Sequence, residues 1–158
     1  MIKLLRVDHR LLHGQVAVSW SSYLGIDCIL LANDELLKDP LMMTSVKLAK
    51  PQGVKVVAKT VADSIEAVKS GVTDKYKLFI VCGNVADACR LARELSIGYI
   101  NLGETRASEG RKSISTNVFI NKEEKGVLTE TMDAGVRIEI QGLPSQKSVN
   151  LRNALKKF

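Results

Sequence analysis

The stretch Cys28-Ile29-Leu30-Leu31-Ala32 is apolar throughout, and a second stretch of the same kind, Leu78-Phe79-Ile80-Val81-Cys82, follows later in the chain. Neither alternates between polar and apolar side chains, as a strand with one wet face does. A continuously apolar strand is buried on both faces, which is typical of parallel strands at the centre of a sheet. These two stretches therefore predict an α/β fold with a parallel core.

Further strand-like stretches recur along the chain, as expected of repeated βα units. Besides the two central ones they are Ile2–Val7, Val54–Lys59, Gly98–Leu102, Val118–Ile120 and Val136–Ile140. Helical patterns are found at Val16–Leu24, Pro40–Lys50, Ala62–Ser70, from Asn84 or Asp87 onward, at Lys122–Ala134 and at Val149–Lys157. Polar and apolar residues alternate in Val136–Ile140, so we expect this strand at an edge of the sheet, where it can run parallel or antiparallel to its neighbour. The pattern predicts one domain over residues 1–158, an open, mostly parallel sheet of about six to seven strands with helices on both faces.

The composition is that of an ordinary globular protein. Hydrophobic residues make up 46% of the 158 residues and charged residues 25%, a length and a balance that suit one domain. No apolar stretch reaches the roughly 20 residues needed to span a bilayer, and the N-terminal apolar stretch is too short for a signal peptide. We therefore expect a cytoplasmic protein.

The formal net charge is +6, while aromatic residues are only 4% of the chain. Nucleic-acid surfaces that stack bases need aromatic side chains, and the positive charges are spread along the sequence rather than gathered into an arm. This balance argues against a nucleic-acid partner. It favours a basic face that docks an acidic protein or a phosphate-bearing partner.

The three cysteines, Cys28, Cys82 and Cys89, show no Cys-x-x-Cys spacing. They lie in apolar strand-like or helical patterns, and we expect small buried residues in a reducing compartment. Neither histidine pairs with a cysteine at the spacing of metal ligands, so we predict no metal site.

Both histidines lie in the stretch Val7-Asp8-His9-Arg10-Leu11-Leu12-His13-Gly14-Gln15-Val16, between the first strand and the first helix. Such a loop lies at the sheet edge where α/β folds bind ligands. A neutral imidazole is nucleophilic near neutral pH, an arginine suits a phosphoryl group, and a helix N-terminus offers free N–H groups. Together these features predict a histidine that carries phosphate, with His13 favoured over His9. A surface histidine, or one that hydrogen-bonds at the helix start, is the ordinary alternative.

A second loop, Gly103–Ser113, is rich in glycine and basic residues but lacks the Gly-Lys-Ser/Thr order and the glycine spacing of a P-loop. No Gly-x-Gly-x-x-Gly follows any strand, which argues against a dinucleotide site. We interpret Gly103–Ser113 as a basic surface loop unless it borders the loop of His13. No cofactor is predicted.

The stretch Arg6–Val16 resembles the active-site signature of the B component (enzyme IIB) of the mannose/fructose/sorbose-type sugar phosphotransferase system, or PTS. The usual form of that signature is Arg-Ile-Asp-Asp/Asn-Arg-Leu-Ile-His-Gly-Gln-Val. Asn33-Asp34-Glu35 is similar to the family's Ser/Asn-Asp-Glu, Pro51-x-Gly53-Val54 to its Pro-Pro-Gly, and Asn101-Leu102-Gly103 to its Asn-Val/Ile-Gly-Gly. The resemblance covers most of the chain.

The resemblance implies an enzyme, a protein-Nπ-phosphohistidine–sugar phosphotransferase that acts as a cytoplasmic phosphocarrier. Its phosphoryl donor is expected to be the phosphohistidine of the IIA component, and its acceptor a sugar taken up through the membrane components IIC and IID. Association with the membrane is expected through these partners. The resemblance does not decide whether the chain forms a homo-oligomer. A non-catalytic regulatory or binding domain on the same fold is the alternative function.

The resemblance also assigns roles to individual residues. It makes His13 the phosphorylated nucleophile, with the phosphate on Nδ1, and Arg10 the residue that neutralises the phosphoryl charge. The remaining matches are expected to shape the loop or touch phosphate: Arg6, Asp8, Gly14 and Gln15, with Asp34 as a neighbour from the second loop.

Two of the departures from the family's pattern matter for the site. His9 stands where Asp or Asn is usual, and we interpret it as a variable position rather than one that tunes its neighbours. Glu104 replaces the second glycine of the Asn-x-Gly-Gly motif. Because a carboxylate facing the phosphate would repel it, we expect Glu104 to point away.

Overall fold

The computed structural model describes residues 1–158. Its nine strands are β1 (Ile2–Asp8), β2 (Cys28–Ala32), β3 (Lys55–Lys59), β4 (Leu78–Cys82), β5 (Tyr99–Glu104), β6 (Lys112–Ser115), β7 (Val118–Ile120), β8 (Arg137–Ile140) and β9 (Val149–Asn150). Its six α-helices are α1 (Gly14–Leu24), α2 (Pro40–Leu48), α3 (Val61–Lys69), α4 (Val85–Leu95), α5 (Lys122–Asp133) and α6 (Leu151–Ala154). Short 3-10 turns follow at Leu36–Lys38 and Leu155–Lys157. No helix is both long enough and apolar enough to cross a membrane.

Seven strands form one sheet in the order β3-β2-β4-β1-β5-β8-β9. The two continuously apolar strands, β2 and β4, are neighbours and run parallel, with every residue of both buried. Alternate side chains along them enter two separate cores, so that Leu30 lies in one core and Ile29 in the other. The first core is covered by α3, α4 and α5, and the second by α1 and α2. The predicted α/β fold with helices on both faces is confirmed.

The edges of the sheet differ in detail from the prediction. The alternating strand β8 pairs in parallel with β5 and lies inside the edge, while the antiparallel edge strand is the two-residue β9. Val149 pairs with Ile140, so the helix predicted from Val149 begins only at Leu151, where the Asn150 side chain accepts a hydrogen bond from the Arg152 N–H. The predicted strand β7 is present, but it forms a separate hairpin with β6.

The strand order places the first loop in a crevice. β1 lies between β4 and β5. The helix that follows β1, α1, packs on one face of the sheet, whereas α4, which follows β4, packs on the other. Where helices leave neighbouring parallel strands toward opposite faces, the carboxyl ends of the strands frame a ligand-binding crevice.

The three cysteines are free and buried, as predicted. Cys82 ends β4 and is fully covered. Burial raises the pKa of its thiol well above the ordinary range, so it stays protonated and unreactive.

Candidate active site

The loop between β1 and α1 is folded around the carboxylate of Asp8. This side chain is fully buried, and its Oδ1 accepts a hydrogen bond from the Arg10 N–H at 3.0 Å. The Asp8 carbonyl accepts another from the Leu11 N–H at 2.9 Å. Leu11 takes a left-handed conformation, with φ of 60°, and its side chain and that of Leu12 are buried. Two apolar anchors thus hold the turn that brings His13 back over Asp8.

His13 lies directly before α1 and is oriented by Asp8. Its Nε2 is 2.8 Å from Oδ2 of Asp8. Because an ionised carboxylate only accepts hydrogen bonds, Nε2 carries the proton, and the lone pair of the ring lies on Nδ1. Nδ1 makes no hydrogen bond, and the side chain, 13% exposed, does not cap the helix. The free nitrogen of His13 is therefore Nδ1, next to the N-terminus of α1.

The negative charge of Asp8 is stabilised by its hydrogen-bond and ion-pair partners. Burial by itself would raise the pKa of Asp8, but the hydrogen bond from His13 and the charge of Arg6 outweigh it, so the pKa lies below its ordinary value. Asp8 is consequently an anion at neutral pH and holds the His13 ring in one tautomer.

Arg6 supports Asp8 from inside the protein. Its Nη2 donates to Oδ2 of Asp8 at 3.0 Å, and its Nη1 donates to Oδ1 of Asn101 at 2.7 Å and to the carbonyl of Gln141 at 3.1 Å. The side chain is only 2% exposed, and burial lowers its pKa despite the neighbouring Asp8. Since the guanidinium is enclosed, Arg6 shapes the loop and is not open to a ligand.

The contacts of the Arg6 guanidinium explain the Asn101-Leu102-Gly103 motif. Asn101 accepts from Arg6, and the Arg6 guanidinium lies against Gly103 so closely that a Cβ there would be 2.2 Å from Cζ. On its other side the Arg6 Cζ lies 5.5 Å from the centre of the Trp20 ring. Sequence analysis assigned no site role to Asn101, Gly103 or Trp20, although the motif itself was recognised.

Arg10 is the exposed cation of the loop. Its side chain is 56% exposed and makes no hydrogen bond, and its Nη1 lies 4.0 Å from Oε1 of Glu104. Gly14 and Gln15, the first two residues of α1, are also exposed. Gly14 has φ of 38°, and Gln15 makes no side-chain hydrogen bond. These three exposed residues directly flank the Leu11–His13 turn in the chain.

Glu104 points into the site, contrary to expectation. Its carboxylate oxygens lie 4.0 Å from His9 Nδ1, 4.0 Å from Arg10 Nη1 and 4.0 Å from His13 Nε2. The cause is the pairing of β1 with β5, which sets Glu104 beside Asp8 at the carboxyl end of the sheet. Three basic side chains attract the carboxylate there.

His9 is held beside Glu104 by its backbone as well. Its N–H donates to the Glu104 carbonyl at 3.0 Å. The Nδ1 atom of His9 is buried and has no hydrogen-bond partner, although the ring is 28% exposed.

Asp34 makes no hydrogen bond or ion pair with this cluster. Its Oδ1 accepts a hydrogen bond from the Val61 N–H at 2.9 Å, which holds the start of α3. The structure shows no contact of this kind between Asp34, which follows β2, and His13, because β4 lies between β2 and β1. It does bring together the remaining residues named from the sequence, namely Arg6, Asp8, Arg10, His13, Gly14 and Gln15.

A cleft of about 660 Å³ lies beside the loop. Its lining includes His9, Arg10, Arg106 and Arg111, so Gly103–Ser113 borders the His13 loop and is not a remote surface loop. Arg111 is paired with Glu124 at 2.9 Å, whereas Arg106 is exposed. Sequence analysis could have found Arg106 only from the position of this loop after β5, next to β1.

Asp8, His13 and Glu104 have donor atoms within 4.8 Å of one another, a spacing that a metal ion could use. However, Oδ2 of Asp8 already binds both the Arg6 guanidinium and the His13 ring. A cation would have to displace a buried arginine to reach that oxygen. The donor set fits a hydrogen-bonded histidine better than a metal centre.

Comparison with known proteins agrees with the motifs. The family described as "PTS system sorbose subfamily IIB component" matches residues 2–158. The chain belongs to this family. Its members are phosphotransferase components of sugar uptake, and the chain is one of these IIB components.

Three similar proteins span this IIB chain almost completely. The N-acetylgalactosamine-specific phosphotransferase enzyme IIB component 2 of Escherichia coli is 30% identical over 95% of this chain and 96% of its own length. A probable phosphotransferase enzyme IIB component of Streptococcus pyogenes is 31% identical over 96% of this chain and 97% of its own. The crystal structure of the IIBSor domain of the sorbose permease from Klebsiella pneumoniae superimposes with a TM-score of 0.93, at 25% identity, over 99% of this chain and 97% of that domain.

Proposed function

We propose that His13 is the phosphoryl carrier of this IIB component and that Nδ1 is the atom phosphorylated. The observation that carries the proposal is the 2.8 Å contact between His13 Nε2 and Asp8 Oδ2, which leaves Nδ1 as the only free ring nitrogen. A nucleophile oriented by a buried carboxylate, beside an exposed arginine and a helix N-terminus, is suited to phosphoryl transfer.

The donor is proposed to be the phosphohistidine of a IIA component. The lone pair of His13 Nδ1 forms the new N–P bond while the N–P bond of the donor breaks, and its electron pair stays on the donor imidazole. His13 keeps its proton on Nε2, so its ring becomes cationic. The carboxylate of Asp8, 2.8 Å away, stabilises that positive charge.

Arg10 is proposed to neutralise the transferred phosphoryl group. Its side chain is 56% exposed and without a hydrogen bond, so it reaches the group at little cost in lost contacts. Arginine donates to phosphoryl oxygens through a planar, paired set of N–H groups. Because the loose transition state of phosphoryl transfer needs mainly alignment and charge stabilisation, we propose a reaction without a cofactor or metal.

The final acceptor is proposed to be a sugar hydroxyl, presented by membrane components IIC and IID. The His13 N–P bond breaks, its electron pair returns to the ring, and the hydroxyl oxygen forms the new O–P bond and releases its proton. The protein is accordingly proposed to be a cytoplasmic protein-Nπ-phosphohistidine–sugar phosphotransferase, held at the membrane by its partners. Among the relatives, one is an N-acetylgalactosamine-specific component and another is a domain of a sorbose permease.

The test is intact-mass analysis after incubation with phosphoenolpyruvate, the general phosphotransferase proteins and a matching IIA component. One acid-labile phosphate that maps to His13 is the expected result. No phosphate, with a IIA component that is itself phosphorylated and competent toward another IIB protein, would contradict the proposal. That outcome would favour a regulatory domain on the same fold.

A further inference from the structure

One carboxylate in the site, that of Glu104, has three basic neighbours at 4.0 Å and is hydrogen-bonded to none of them. Oε1 of Glu104 lies 4.0 Å from His9 Nδ1 and 4.0 Å from Arg10 Nη1. Both distances exceed a direct hydrogen bond. The Glu104 side chain is 23% exposed, so it has room to approach either partner.

The ring nitrogen of His9 that faces Glu104 lacks a hydrogen-bond partner. Nδ1 of His9 is a buried polar atom without a partner, and such atoms usually find one. A movement of about 1 Å brings Glu104 within hydrogen-bond range of it. His9 and Glu104 are also both departures from the usual family motifs. An Asp at the His9 position would repel Glu104, whereas an imidazole can bind it.

The charges around His13 change when it carries a phosphoryl group. In the free protein, Asp8 is paired with Arg6, and Glu104 lies nearest to Arg10 and the histidines. A phosphoryl group adds about two negative charges, while the positive charge that forms on the His13 ring stays paired with Asp8, 2.8 Å from Nε2. The phosphoryl group attracts Arg10 and repels Glu104, so the attraction between these two is lost and Glu104 is left in need of another partner.

We infer that Glu104 exchanges Arg10 for His9 when His13 is phosphorylated, and that its negative charge raises the phosphoryl-transfer potential of this IIB component. The inference rests on the proposed role of His13. Glu104 is a positioning residue, since it lies beside Arg10 in the free protein and releases it to the phosphoryl group. In the onward step the N–P bond breaks with its electron pair returning to the His13 ring, and repulsion by Glu104 favours the departure of the phosphoryl group.

Glu104 has charged neighbours on several elements. The β1–α1 loop contributes His9, Arg10 and His13, and β1 contributes the buried Arg6. β1 also contributes the like-charged carboxylate of Asp8, within 4.8 Å of that of Glu104. Arg106, on the loop after β5, lines the same cleft. Arg111 also lines it but is paired with Glu124.

The experiment measures the equilibrium of phosphoryl transfer between the IIA component and this protein at fixed ratios of phosphorylated to free donor. Removing one negative charge near the phosphoryl group in Glu104→Gln is expected to shift the equilibrium roughly three- to tenfold toward the phosphorylated IIB protein. The phosphoryl-transfer equilibrium of Glu104→Asp is expected to lie between those of Glu104→Gln and the wild type. Glu109→Gln removes the same charge from an exposed position of the same loop and serves as the matched control.

A second readout follows the His9 ring by 15N NMR in the wild type and in Glu104→Gln. Phosphorylation of His13 is expected to shift the His9 ring nitrogens toward the doubly protonated form in the wild type and to leave them unchanged in the variant. If wild-type His13 is phosphorylated but Glu104→Gln has the same equilibrium as Glu109→Gln and the same His9 response as the wild type, the inference is wrong and the proposed function stands. If wild-type His13 takes no phosphate from a competent donor, both fail.

Discussion

Oδ2 of Asp8 lies 2.8 Å from Nε2 of His13 and 3.0 Å from Nη2 of Arg6. One oxygen thus joins the partly buried His13 ring to a buried cation, and the cation is in turn fixed by Asn101. The orientation of the His13 ring therefore depends on β1, which carries Arg6 and Asp8, and on β5, which carries Asn101. Substitutions at the exposed end of these contacts are therefore expected to affect activity, and substitutions at the buried end are expected to affect stability.

The two histidines are expected to behave differently when replaced. His13→Ala removes the proposed nucleophile and should abolish phosphate acceptance. His9→Ala should retain most of it, because His9 does not hold the nucleophile in place. Intact-mass analysis of both variants after incubation with a competent IIA component measures this. An active His13→Ala beside an inactive His9→Ala would reverse the site assignment.

Arg10 is expected to matter for rate and not for folding. Its exposed side chain makes no hydrogen bond, so Arg10→Ala should leave the free energy of unfolding within about 0.5 kcal/mol of the wild type. The rate of phosphorylation should fall on the order of 10²-fold, because one donor to the transition-state charge is lost. Rapid-quench kinetics and urea denaturation measure the two effects. Arg10→Lys, which keeps the charge without the paired donors, should fall between the two proteins.

The stability of the protein should depend on pH through Asp8. The pKa of Asp8 is lowered in the folded protein, so its stabilising effect is complete above its pKa in the unfolded chain and is lost as the pH falls through its folded value. Asp8→Asn leaves Arg6 without its buried anion and should cost about 3 kcal/mol at pH 7. The difference between wild type and variant should shrink as Asp8 becomes protonated in acid. A constant difference in urea denaturation from pH 7 to pH 3 would contradict this.

Gly103 should be intolerant of any side chain. A Cβ there meets the Arg6 guanidinium at 2.2 Å, and that group is held by Asp8 and Asn101. We expect Gly103→Ala to lower the free energy of unfolding by about 3 kcal/mol. Gly98→Ala is the matched control, since a Cβ at Gly98 meets no atom within 4 Å. Equal unfolding curves for the two variants would show that Arg6 moves aside freely.

The centre of the fold could be predicted because its signals are local. The apolar strands β2 and β4 carry their burial in their own sequences, and caps such as Asn84 mark the helix starts. The edge could not be predicted in the same way. β9 has two residues and exists only because Ile140 and Glu139 lie beside it, so no pattern within Val149–Asn150 marks it as a strand.

In the site, too, features that depend on local sequence could be predicted and features that depend on distant pairing could not. His13, Arg10 and Asp8 could be named from one continuous motif. The direction of Glu104 could not, because it depends on the pairing of Asp8 with Glu104 across two strands, at an irregular point in the register. The surroundings of Asp34 depend on the strand order as well. It follows β2, which β4 separates from β1, and its side chain accepts a hydrogen bond from Val61 at the start of α3.

The central claim is that Nδ1 of His13 carries the phosphoryl group because Asp8 holds Nε2. It is tested most directly by NMR of 15N-histidine-labelled protein after phosphorylation by the IIA component. We predict phosphorus coupling to Nδ1 of His13, with a proton retained on Nε2. Coupling to Nε2 of His13, or to a ring nitrogen of His9, would contradict the claim.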